Sequence, residues 1–229
     1  EACNFAKEHA AVTMSCLDRF VSSLDGSKVL LDRSQFQLAA LTSLYISAKI
    51  HCPQALPPDL VAKLSQGMHK VKDIEAMERR MLDAIQWRVN PPTAMDFVRI
   101  YLDMITSKSN NDFDQHTQDV IIELTGYQAS LSVIQFDIAI EKASHIAVAS
   151  LMNALECIYT DDQDFCDSIY HFISRYTDVN PNSIKEIQEQ LYKSIIEHTC
   201  TELGTRKKPS NSFTLGKISH RNAFTESPR

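Results

Sequence analysis

Glycine and proline are scarce in this chain, 5 and 8 of 229 residues, which leaves too little turn chemistry for a many-stranded sheet. No Cys-x-x-Cys pair occurs. The six cysteines, at 3, 16, 52, 157, 166 and 200, show no metal-finger spacing, so no structural zinc is expected and they read as reduced thiols. No run of about 18 apolar residues and no hydrophobic signal segment is found, so no membrane association is expected and the nucleus and cytoplasm are the expected compartments. Glu1 lies inside a helical pattern, so the chain reads as a piece of a longer protein. A Gly-rich phosphate loop, a G-x-S-x-G elbow and an H-E-x-x-H helix are also missing, so neither a catalytic site nor a cofactor is expected. The net charge of -6 disfavours a dedicated nucleic-acid binder, which carries a clustered basic excess.

What is present is helical. Hydrophobic residues make up 44% of the chain, enough for a sizeable core, and Ala, Leu, Ile, Glu and Gln are abundant. Ser34 to Ala48 (SQFQLAALTSLYISA) carries no charge and ends at Lys49. It is too short and too polar for lipid, and it reads as a central helix covered on most sides, with a cation at its carbonyl-rich end. Upstream, Phe5, Val12, Leu17 and Phe20 predict a helix to about Ser23, followed by a turn at Leu24-Asp25-Gly26-Ser27. Asp32 is placed to cap the uncharged helix, which Cys52-Pro53 should end. Pro57-Pro58-Asp59 starts a short helix through about Ser65. Asp73 to Trp87 is amphipathic, with Ile74, Met77, Met81, Leu82 and Ile85 on one stripe and Glu75, Glu78, Arg79 and Asp83 largely off it.

Val89-Asn90-Pro91-Pro92 interrupts the pattern, and the first domain is drawn as 1–91. A second, 92–201, contains helices over Thr93 to Thr106, Asp114 to about Val133, Ala143 to Tyr159, Asp161 to Tyr176 and Ser183 to Thr199, with Ser107 to Asp112 as a loop. Ala143 to Leu155 is again uncharged and mirrors Ser34 to Ala48, which suggests a duplicated helical bundle. Residues 202–229, rich in Ser, Thr, Pro and scattered basic residues, read as a disordered tail. Ser227-Pro228 within it has the form of a proline-directed phosphorylation site.

The histidines are scattered. His51 and Cys52 adjoin Lys49, but neighbours at a helix end point to different sides and do not make a nucleophile pair; His145 is expected as a hydrogen-bonded core histidine. The residues that converge are Lys49 and Glu78, 29 positions apart. If their helices pack side by side, a cation and a carboxylate meet at one edge, with Ile46, Ile50, Leu82, Trp87 and Val89 as an apolar floor. On spacing alone the pair reads first as a plain surface salt bridge worth about 0–1 kcal/mol.

Cys16-Leu17-Asp18-Arg19-Phe20-Val21-Ser22, Phe36-Gln37-Leu38, Tyr45-Ile46-Ser47-Ala48-Lys49, Pro57-Pro58, Met77-Glu78-Arg79-Arg80-Met81-Leu82 and Pro92-Thr93 with Phe97 together resemble the ordered motifs of the cyclin box. Glu123-Leu124 and Ser144 to Leu155 resemble the cyclin C-terminal fold, and the likeness spans about residues 1 to 200. The resemblance implies an all-α fold of two tandem five-helix repeats, the first without its first helix here. It also implies a non-catalytic subunit that binds and activates a cyclin-dependent protein kinase of the cell cycle. Lys49 and Glu78 match the family residues that grip the kinase around its mobile helix. Ile46, Ile50, Leu82, Trp87 and Val89 match the pocket for an isoleucine of that helix, and Phe36 and Gln37 match one wall of a groove that docks kinase substrates. Ile50-His51-Cys52 stands where the family has an aromatic and two glutamates, which implies a different kinase preference or weaker binding. Asp18 lacks the arginine with which the family pairs it. Two other classes stay open: a cyclin-fold transcription adaptor or transcription-associated cyclin, and, last, an enzyme with an unrecognised helical site.

Overall fold

The computed structural model describes residues 7–51, 56–108, 113–177 and 180–202. The expected helix stop at Cys52-Pro53 lies outside the described residues, as does the expected 202–229 tail, with its Ser227-Pro228, except for Glu202, which is helical. Glu1–Ile195 form one compact unit and Ile196–Arg229 a second. Among the described residues there is no strand, and no helix is long and apolar enough to cross a membrane.

The first set of helices is α1 (Lys7–Val21), a 3-10 turn (Gly26–Leu31), α2 (Arg33–His51), α3 (Pro58–Leu64) and α4 (Val71–Ala84). The starts follow local chemistry. At α2, the Ser34 amide donates to Asp32 Oδ1 at 2.8 Å, the expected cap. Pro58 sits at the first position of α3, where its missing N–H costs nothing. Helix α2 is the centre: Leu38, Ala39, Thr42, Ser43, Tyr45, Ile46, Ser47 and Ala48 are all buried, and α1, α3, α4 and the 3-10 turn pack around it. Its hydroxyls fold back onto its own or a neighbouring backbone, with Thr42 donating to the Leu38 carbonyl at 2.7 Å and Ser47 to that of His9 at 3.2 Å. Small polar residues therefore sit in the core without an unmet hydrogen bond. Phe20, Ile46, Ile74 and Met81 belong to the same apolar cluster.

The second set is α5 (Ala94–Lys108), α6 (Gln115–Ile134), the single turn α7 (Phe136–Ala139), α8 (Ala143–Ile158), α9 (Gln163–Ser174) and α10 (Pro181–Glu202). Thr93 and Asp96 form a reciprocal capping box at α5: the Thr93 amide donates to Asp96 Oδ2 at 2.8 Å and the Asp96 amide to Thr93 Oγ1 at 3.3 Å. Helix α8 is central, with buried Ile146 through Met152 and Ala154-Leu155, and it packs on α5, α6 and α9. Asn153 of α8 donates to Gln128 Oε1 of α6 at 2.9 Å and to the Gln188 carbonyl of α10 at 3.2 Å. The two helices that carry the uncharged runs thus occupy corresponding central places in two all-α repeats.

Several expectations need correction. The amphipathic run does not stay helical to Trp87: α4 stops at Ala84, and Gln86 and Trp87 take left-handed conformations with φ of 56° and 60°. The Trp87 amide donates to the Leu82 carbonyl at 2.9 Å and the Gln86 amide to that of Asp83 at 3.2 Å, the Schellman pairing that closes a helix end. The turn expected at Leu24 to Ser27 extends into a 3-10 helix, and α5 continues through Ser107. His145 is only half-buried, on the first turn of α8, not in the core.

Candidate kinase-docking surface

The last turn of α2 and the middle of α4 bring the two predicted charges together. Lys49 Nζ lies 2.9 Å from Glu78 Oε1. The Lys49 side chain is 54% exposed and Glu78 only 14%, so the carboxylate is sheltered and the ammonium faces solvent. The hydrogen bond to Glu78 raises the Lys49 pKa above its usual value, against a smaller opposing effect of burial. The ammonium also lies 5.4 Å from the ring centroid of Tyr45, one turn earlier. Two neighbouring groups therefore hold this exposed cation, which lowers the entropy cost of fixing it against a partner.

The predicted apolar floor divides by exposure. Ile46 is 3% exposed and belongs to the core, not to the accessible part of the floor. Leu82 and Val89 are partly buried against that core. Ile50 is 38% exposed and Trp87 65%, so these two offer apolar surface. The left-handed turn after α4 leaves Trp87 exposed. Phe36, on the first turn of α2, is exposed, and Gln37 beside it is half-buried.

Two arrangements had no sequence signal. His9 of α1 and His51 at the end of α2 approach to a centroid separation of 4.8 Å. Arg80 of α4 pairs with Asp25 through Nε, donates from Nη2 to the Asp25 carbonyl at 2.8 Å, and lies 5.6 Å from the Phe20 ring. Partners 55 positions apart, joined through a turn, leave no periodic trace. Among the described residues no group of three or more His, Cys, Asp or Glu is placed to hold a metal ion. The arrangement at α2 and α4 has the chemistry of a binding surface: a held charge beside exposed apolar side chains.

Two tandem all-helical repeats, each wrapped around an uncharged helix, with a lysine presented at the end of the first, define a class of helical binding proteins. The model of the cyclin N-terminal domain matches residues 1–90 and that of the cyclin C-terminal domain matches residues 92–221; this chain belongs to the cyclin family. It is 25% identical over 176 residues to a G2/mitotic-specific cyclin-B of Hydra vulgaris, covering 76% of this chain and 44% of that protein. To the G1/S-specific cyclin-D1 of Mus musculus it is 19% identical over 212 residues, covering 90% and 67%. A solved viral cyclin from herpesvirus saimiri shares 16% identity at a TM-score of 0.48, over 82% of this chain and 86% of that one. The chain spans less than half the length of the Hydra cyclin-B proteins it matches, 44% and 40%.

Proposed function

We propose that this chain is the non-catalytic regulatory subunit of a cyclin-dependent serine/threonine protein kinase, which it binds and activates to control cell-cycle progression in the nucleus and cytoplasm. The observation that carries this reading is the Lys49–Glu78 pair at the rim of the buried helix of a cyclin-family repeat. Lys49 and Glu78 grip the kinase, Ile50 and Trp87 offer the exposed apolar contact, Leu82 and Val89 support it, and Ile46 fixes the end of α2 from beneath. Phe36 and Gln37 would form one wall of a substrate-docking groove.

The mechanism is a population shift. A kinase is active when a glutamate of its mobile helix pairs with the phosphate-anchoring lysine. A subunit that binds only that arrangement raises its population by as much as its affinity differs between the two states. No proton, metal or cofactor of this chain takes part. Ile50 and His51 make the surface around Lys49 apolar and weakly basic, which favours a kinase whose facing surface is itself apolar or acidic. Affinity capture of the complete protein from its own cells, followed by identification of the co-purified kinase and a phosphorylation assay, tests the reading. An eluate with no protein kinase and no phosphorylation activity would reject it.

A further inference from the structure

We propose that the cleft between the start of α2 and α4 is an oxyanion site, fitted to a phosphomonoester whether free or carried on a peptide side chain. The inference is independent of the kinase reading. The cleft holds about 450 Å³ and is lined by Ser34, Gln35, His69, Asp73 and Arg80 over the apolar Leu38, Met68 and Met77.

Its two cationic or donor side chains are held in place by the fold. His69 follows a tight reversal in which Gln66 and Gly67 are both left-handed, at φ of 56° and 83°. A non-glycine residue in that conformation is a local cost that the surroundings must over-determine. The buried Ser65 hydroxyl accepts the His69 amide at 3.0 Å and donates to the Ala62 carbonyl at 2.6 Å, which fixes the turn. The imidazole is 6% exposed, and its Nε2 is sealed from solvent with no hydrogen-bond partner among the described residues. A buried ring nitrogen left open in this way calls for a ligand or a water.

Arg80 closes the other end. Its Nε and Nη2 are occupied by Asp25 and its guanidinium lies near the Phe20 ring, an anchoring that orients the planar fork of this lining residue and leaves Nη1 as the donor that Asp25 does not engage. The acidic residue of the lining, Asp73, is turned onto the Lys70 amide at 2.8 Å and is occupied as the cap of α4. Arg33, Lys70 and Lys72 are exposed nearby in sequence on the elements that bound the cleft.

Titration of the full chain with inorganic phosphate at constant ionic strength, followed by NMR of the His69 ring nitrogens, tests this site; a phosphoserine tripeptide and its unphosphorylated form serve as further arms. A saturable shift of the His69 signals in the millimolar range is expected, weakened about tenfold in Arg80→Lys, which keeps the charge but loses the fork. His69→Gln, read through the Arg80 side-chain signals, should weaken it similarly while leaving helicity unchanged. Saturation by the phosphoserine peptide at lower concentration than by inorganic phosphate assigns the site to peptide ligands; the reverse order assigns it to the free ion. A shift that never saturates, or one equal in wild type, Arg80→Lys and His69→Gln, would show that only water fills the cleft and would overturn the proposal.

Discussion

Lys49 and Glu78, 29 residues apart in sequence, are joined at 2.9 Å with the ammonium outward and the carboxylate sheltered. An isolated pair with so exposed a partner adds at most about 1 kcal/mol to stability, so its value to the molecule lies in presenting an oriented charge. The raised Lys49 pKa has a simple consequence: the pair's stabilisation is complete below the unfolded lysine value and is lost only as pH rises through the higher folded one. The surface therefore keeps its charge throughout the neutral range.

Core and contact residues of this surface should separate by mutation. Ile46→Ala, at a position 3% exposed, should destabilise the fold by about 2–5 kcal/mol. Trp87→Ala, at one 65% exposed, should change stability by less than about 0.5 kcal/mol yet weaken kinase binding about tenfold or more, as loss of an aromatic anchor does. Denaturant titrations and binding isotherms on both variants measure the two effects; equal binding by wild type and Trp87→Ala would remove Trp87 from the contact.

Gly26 permits the link from α1 to α2. A Cβ built there would fall inside the Phe20 carbonyl, and Arg80 holds the adjoining Asp25 in place. Gly26→Ala should cost more than about 2 kcal/mol, in the range of changes that force backbone to move. A denaturation midpoint equal to wild type would show that the turn is free to relax.

Acid should loosen both repeats through named carboxylates. The hydrogen bond from Arg80 holds Asp25 below the usual carboxylate range, and hydrogen bonds from Thr117 do the same for Asp114 at the start of α6. A depressed folded pKa means stabilisation that is present above the unfolded value and lost as pH falls through the folded one. Thermal melts recorded from neutrality down through the carboxylate range should show a decline that is shallower for an Asp25→Asn/Asp114→Asn variant. Parallel curves would contradict this assignment.

Much of the fold was legible because long-range burial left local signs. Fifteen uncharged residues from Ser34 and the matching run from Ala143 marked the two central helices, and Asp32, Pro58, Thr93 and Asp114 marked helix starts. The end of α4 was hidden because the buried Ile85 still falls on the apolar stripe and no glycine or proline marks the left-handed turn at Gln86 and Trp87. The 3-10 helix and α7 were hidden by brevity: each offers few buried residues, such as Val29 and Ile138, too few to set a period. At the candidate site, the meeting of Lys49 with Glu78 was readable from helix faces and family resemblance. The burial of Ile46 was not, because a sequence pattern does not say how far the last turn of a central helix projects.

The most direct measurement is activation of the co-purified kinase by the wild-type chain and by a Lys49→Ala/Glu78→Ala variant, with helicity followed by circular dichroism. Capture and activation should fall to background in the variant while its helical spectrum matches wild type. Full activation by a folded double variant would contradict the assignment of this surface to the kinase.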